Sequence, residues 1–435
     1  MRFTKDNELL LSMPIAPRAI LASRMASLWL LNLIFGLVVA VPAALAWAQA
    51  AALPVLGWVS IVLLLPALDF FSLAVTSLLA WGLSLLASRL RRKSLVTVIG
   101  SVVFLGAYFA VIFRMNGYIE QLAQNGAAIA ESLAGAKLLV WLGRAMAQGN
   151  ALALLWSLLA LLLPFALMYW VLDHSFIRIV TTKRGAAKIR YEEKTLETSS
   201  PDRALVRREF RRLWASPTYL LNAGMGVLFL LVGAAALVIR RAAILDLAVQ
   251  LPELAASVPV FLLLAICGML GTTFFTPSSV SLEGKNLWIL QSMPVSGCQV
   301  LLSKLRMADS LTLPTAAVAG ICCASVTDRA PLVLAAGVLF ARFVNLLGLR
   351  EGVLHAKLDW TNEAQAVKQG WATMLTMLLC WGVILATGAL WLMWLAELVS
   401  AEAFLLGFCA VFFALDALLL RWVKTTGAER FSHLS

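Results

Sequence analysis

The 435-residue chain is 61% hydrophobic and only 13% charged, with a mean hydropathy of +0.89 and a formal net charge of +12. So few charges cannot solvate the surface of a soluble globule of this length, whereas lipid favours such a balance. The basic surplus raises nucleic acid as a partner, but Lys and Arg fall where the positive-inside rule puts them, so nucleic acid is set aside.

A hydrocarbon core of roughly 30 Å takes about 20 apolar residues per helix. Windows of that length predict ten spans, near 25–47, 55–88, 95–113, 151–172, 219–239, 258–276, 308–326, 331–349, 371–394 and 401–420. The expected fold class is all-α, a polytopic transmembrane helix bundle. Residues 1–13 are polar and charged and hold no apolar run of a cleavable signal peptide. With the N-terminus in the cytosol, the inner segments 1–24, 89–94, 173–216, 276–307, 350–370 and 421–435 carry 28 of the 35 basic residues. An even number of spans returns the C-terminus to the cytosol.

One phrase occurs twice, 280 residues apart: L-L-L-S-M-P-I-A-P-R-A-I-L-A-S-R from Leu9 and I-L-Q-S-M-P-V-S-G-C-Q-V-L-L-S-K from Ile289. Six of the sixteen positions are identical, and most others exchange like for like, as Arg24 does with Lys304. A repeat in a membrane protein points to two pseudo-symmetric halves. Residues 1–172 form the first half, with four spans. Residues 173–216 form a basic cytosolic linker and surface helix, and 217–435 form the second half, with six spans. The second copy has two spans before it and the first has none. Two spans are therefore expected upstream, absent from this chain or supplied by a second permease copy or another membrane subunit.

Between and around the spans the elements are short. Asp69 is an isolated acid after Pro66, which is expected to kink the second span. The outer segments 115–150 and 240–257 carry apolar residues at helical spacing and predict amphipathic caps. In the linker, Ser200-Pro201-Asp202 reads as an N-cap, Pro at N1 and a first-turn acid. The helix after it places Val206, Phe210, Leu213 and Trp214 on one stripe. Arg203, Arg207, Arg208, Arg211 and Arg212 fall on the remaining faces, as for a helix lying on an anionic leaflet. In the second copy of the phrase, Leu287–Leu290 predicts a short amphipathic turn with Trp288 at the interface. Pro294 forces a bend at Met293, and Ser296 caps a new helix. Such a helix–turn–helix is a rigid elbow joined to two membrane helices. Asp309, Arg342 and Asp416 are charged groups within the later spans. Asp309 is expected at the inner interface, and Arg342 is expected to pair with Asp416, joined by Asn345. Cysteines and histidines show no metal-ligand spacing.

Four stretches resemble the bacterial type-two ATP-binding-cassette (ABC) transporter permeases, the ABC exporter membrane-subunit group. They are S-L-E-G-K-N-L-W-I-L-Q-S-M-P-V-S from Ser281 with its first copy from Lys5, V-R-R-E-F-R-R-L-W-A-S-P-T-Y-L-L-N from Val206, K-L-D-W-T-N-E-A-Q-A-V-K-Q from Lys357, and K-T-T-G-A-E-R-F from Lys424. The resemblance implies six-helix halves, a coupling element in each half, and residence in the bacterial cytoplasmic (inner) membrane. It also implies a separate ATPase subunit, in two copies, that holds ATP and Mg. Asp6, Met13 and Pro14 in one half, with Glu283, Lys285, Trp288, Met293 and Pro294 in the other, would then contact it. Trp360, Asn362 and Glu363 would brace the second contact, with Thr361 as N-cap. The opening pair of spans of that family is missing here.

No G-x-x-x-x-G-K-[ST] phosphate loop is present, so this chain is expected to bind no ATP itself. Nor are H-E-x-x-H, E-E-x-x-x-R or G-x-S-x-G found, which argues against an intramembrane enzyme. A secondary transporter driven by an ion gradient would show several acids at matching places in both halves. The isolated acids here weaken that alternative, while a noncatalytic membrane scaffold would use the same elbows.

Overall fold

The computed structural model describes residues 13–50, 53–89, 100–101, 103–112, 115, 135–181, 199–250 and 255–434. Every regular element among them is helical. Nine helical segments among the described residues are long and apolar enough to cross a membrane, with Val258–Ser281 and Glu363–Leu398 each taken as one segment, and Val103–Ile112 is a shorter apolar helix within the third expected span. The helices group into two compact units, Met1–Lys93 with Val103–Lys194 and Ser94–Val102 with Thr195–Ser435.

The first unit contains α1 (Pro17–Ala50), α2 (Val55–Arg89), α3 (Val103–Ile112), α4 (Lys137–Gln148) and α5 (Ala151–Thr181). α2 packs on α5, α1 and α4. Pro66 lies inside the continuous α2. Trp29 of α1 stacks on Phe70 at 5.0 Å between ring centres, and Phe70 meets Phe165 of α5 at 4.6 Å. α4 ends at Gly149 in the left-handed region, and Asn150 Oδ1 then caps α5 by accepting from Leu152 and Ala153 N–H at 3.0 and 3.1 Å.

The second unit begins with α6 (Pro201–Ala215), α7 (Pro217–Ile239), α8 (Arg241–Gln250), α9 (Val258–Leu270) and α10 (Phe275–Ser281). It continues through α11 (Leu287–Ser292), α12 (Gly297–Cys322), α13 (Ala330–Leu354), α14 (Glu363–Val367), α15 (Trp371–Leu390), α16 (Ala401–Trp422) and α17 (Ala428–Ser432). α13 is the central helix, packed on α12, α16, α10, α9 and α15. Its Phe340 and Phe343 interlock with Phe408 and Phe412 of α16, ring centres 5.0–6.3 Å apart. Interlocked rings add directional packing where lipid supplies no hydrophobic drive between helices.

The sixth expected span, 258–276, is not one helix. It breaks after Leu270, where Phe274 N–H donates to Ala223 O of α7 at 3.1 Å, and restarts as α10, whose seven residues are all buried. Gly348 of α13 permits this: a Cβ there would stand 2.6 Å from Thr276 Oγ1 and 2.7 Å from Pro277 Cδ. Broken helices at membrane depth need protein on all sides to satisfy the freed backbone, and the burial of α10 supplies it.

Candidate functional site

The bend in the second copy of the repeated phrase starts from local chemistry. α11 buries Leu287 and Leu290 and leaves Trp288 64% exposed. Met293 is extended (φ −75°, ψ 151°) ahead of Pro294, as proline demands of the residue before it. Ser296 and Gln299 then form a capping box that opens α12. The first copy has the same local form. Ile15 N–H donates to Met13 O at 2.7 Å, as Val295 N–H does to Met293 O at 2.7 Å. α1 starts at Pro17 and α12 at Gly297, and Ile20, Leu21 and Met25 are buried where Val300, Leu301 and Leu305 are. Met13, Pro14, Met293 and Pro294 are exposed. Asp6 lies outside the described residues.

Beneath the second elbow lies a charge cluster built from three helices. Lys304 of α12 is fully buried, its Nζ 2.6 Å from Glu283 Oε1, 3.1 Å from Glu209 Oε1 and 3.2 Å from Ser279 O. Arg208 of α6 grips Glu283 with both terminal nitrogens, at 3.1 and 2.7 Å, and reaches Glu209 Oε1 at 2.9 Å. Arg212 stands 2.8 Å from Glu283 Oε1 and donates to Leu282 O. Burial by itself would push the Glu283 carboxyl up, but Lys304, Arg208 and Arg212 outweigh it and hold the group well below the usual carboxylate range. Burial likewise disfavours the Arg208 cation, and Glu283 with Glu209 reverses that, raising it above the ordinary arginine value.

This corrects the expectation for Glu283. It is not on a docking face but 2% exposed, because α10 ends inside the unit and carries the residue under the elbow. The buried face of the arginine helix is corrected as well. It comprises Leu205, Glu209 and Leu213, with Arg208 and Arg212 turned inward and Trp214 exposed. Glu209, Lys304, Arg208 and Arg212 were not singled out as a cluster from sequence. The available signal was Glu209 itself, the one acid in V-R-R-E-F-R-R, four residues from Leu205 and from Leu213. Ser200 occupies the N-cap position without a side-chain cap bond. Asp202 instead pairs with Arg306 at 3.2 Å and accepts from Gln299 at 3.3 Å.

The later loop closes over the same corner. Trp360 Nε1 donates to Ser281 O at 2.7 Å, and Lys357 N–H donates to Ser281 Oγ at 3.0 Å. Gly284, at φ +54°, lies under the indole, where a Cβ would come 3.2 Å from Trp360 Nε1. Glu363 accepts from the Ser216 hydroxyl between α6 and α7. The N-cap of α14 is Asn362, whose Oδ1 accepts from Ala364 N–H at 3.1 Å, and not Thr361, whose own N–H goes to Gln365 Oε1. Between α11 and this loop runs a groove of about 380 Å³, floored by Leu287, Leu358 and Leu434 and edged by Trp288, Lys285 and Asp359. The last two, both exposed, are 3.3 Å apart.

The intramembrane polar residues do not pair as expected. Arg342 Nη1 lies 3.7 Å from Asp309 Oδ2, not on Asp416. Asn345, one turn along the same face, donates to Asp309 Oδ1 at 2.9 Å and to Thr312 Oγ1 at 2.7 Å. Residues 342 and 345 are three apart and so share the side of α13 turned to α12. Asp309 thus ties α12 to α13, and among the described residues neither oxygen of buried Asp416 has a hydrogen-bond partner. Asp69 Oδ2, beside Gly36 of α1, also has no such partner among the described residues. Among the described residues no group of three His, Cys, Asp or Glu is placed to hold a metal ion.

A family model described as a membrane protein of 12 TMs matches residues 3–414. No curated protein matches the chain.

Proposed function

The chain belongs to this family of twelve-span membrane proteins, and we propose that it is the membrane-spanning permease subunit of an ABC exporter. On this reading a separate ATPase binds ATP and Mg and docks on the elbows from the cytosol, where both termini of this chain also lie. The cell membrane is the bacterial inner membrane, and this chain performs no covalent chemistry.

One observation carries the reading. Three stretches that bear the resemblance, 206–222, 281–296 and 357–369, converge at one corner of the second unit through Arg208–Glu283, Trp360–Ser281 and Ser216–Glu363. They leave Lys285, Trp288, Met293 and Pro294 exposed on it. An exposed apolar and basic rim on a buried, cross-linked base is suited to receive force. A push on α11 cannot be absorbed locally, because α10, α6 and α12 are bound together through Glu283 and Lys304. It passes instead to α13, against which α10 and α12 pack.

The test is co-purification with the ATPase subunit after replacing Trp288 by Ala and Lys285 by Glu. Association should be lost while membrane insertion is kept; undiminished association rejects the assignment. A transporter driven by an ion gradient is the second reading, favoured by the Asp309, Arg342 and Asn345 group. It requires transport by this chain with no ATPase present.

A further inference from the structure

The five arginines of α6 are divided by the structure into two kinds. Arg208 and Arg212 are committed to Glu283. Arg203, Arg207 and Arg211 are exposed, and no ion pair joins any of them to another described residue. These three recur every fourth residue, and Trp214, 51% exposed, follows three residues later. At 3.6 residues per turn the four side chains fall within an arc of roughly 80° and opposite the buried face of Leu205, Glu209 and Leu213.

We propose that this stripe binds the phosphate headgroups of anionic phospholipid. The three guanidiniums span about 12 Å along the helix, so one row can meet several neighbouring headgroups. Each has a planar fork of donors matched to phosphate oxygens. The membrane span α7 begins at Pro217, three residues after Trp214, so the stripe ends at the boundary of the bilayer. Trp at that boundary is the side chain that settles at headgroup level. The inward arginines fix the rotation of α6 and so aim the outward ones. Charge complementarity therefore selects lipid phosphate, and no ATPase partner is required.

The full-length protein in neutral detergent, titrated with phosphatidylglycerol and followed by native mass spectrometry, tests this. Replacing Arg203, Arg207 and Arg211 together by Gln should weaken the apparent affinity on the order of a hundred-fold, at about one basic residue's contribution each. Phosphatidylcholine should bind the two forms alike, and inorganic phosphate should not compete at matched concentration. Replacing the same residues by Lys should keep most of the affinity, which separates charge from misfolding. Unchanged phosphatidylglycerol binding by the Gln form overturns the proposal. So does competition by free phosphate, or a Gln form that loses ATPase association while still binding the lipid.

Discussion

Replacing Glu283 by Ala removes the one group that touches all three cations of the cluster, of which Lys304 is fully buried while Arg208 and Arg212 are partly exposed. The cluster holds Lys304, Arg208 and Arg212 against Glu283 and Glu209, and Lys304 and Glu283 have no side-chain exposure. Without Glu283 the buried Lys304 and two partly exposed arginines face a single carboxylate, Glu209. Breaking a buried pair by removing one partner costs about 3–5 kcal/mol, since the remaining charge stays desolvated. For a unit of this size that is a fall in melting temperature on the order of 10 °C. Removing Lys304 instead leaves two arginines opposite two carboxylates, so Lys304→Met should cost clearly less than Glu283→Ala despite the deeper burial of the lysine. Pairing Lys304→Met with Glu283→Gln should recover part of the loss, because residues in one network do not add. Thermal unfolding of the purified protein in detergent measures all three. A Glu283→Ala melting temperature within about 2 °C of the parent, or a Lys304→Met protein less stable than Glu283→Ala, would refute the charge reasoning.

Acid should act on the same carboxylate. Its value in the fold lies below the ordinary 4.5, so it adds stability that is complete above 4.5 and lost as pH falls toward the folded value. Melting temperature should therefore show no loss from this group between neutrality and 4.5, and an acid limb below it that is shallower in Glu283→Gln; parallel limbs would exclude the group. Gly284→Val places a branched side chain at φ +54° and against Trp360. A left-handed non-glycine residue costs about 1–2 kcal/mol, and hydrogen exchange at Ser281 and Trp360 should rise; unaltered exchange would contradict the packing of this loop. Asp416→Leu removes a buried carboxyl whose oxygens have no hydrogen-bond partner among the described residues, so thermal stability should hold or increase. A clear loss would show that the carboxyl is paired in the membrane.

Local chemistry was readable along the chain. Apolar length set the spans. The Met-Pro bend, the Ser296 cap and the helix starting at residue 297 follow from neighbouring residues, and the first copy repeats the bend and the helix start at residue 17. Pairing across the chain was not readable in this way. Arg342 and Asp416 matched in depth, yet Arg342 meets Asp309, because the face of α13 bearing residues 342 and 345 turns toward α12. Glu283 and Lys285 looked alike as charged neighbours of the elbow, but one is buried and the other open to solvent, since α10 is enclosed and a tight turn begins at Gly284, at φ +54°.

The sequence by itself thus determined that this protein is a helical membrane bundle with a duplicated bend, because hydrophobic length and proline and capping chemistry act within one or two turns. Tertiary structure alone decided which charges brace the bend and which face outward. That choice depends on the rotation of each helix against neighbours 70–95 residues away in the chain, as in Arg208–Glu283 and Lys304–Glu209, and no local pattern encodes such a rotation.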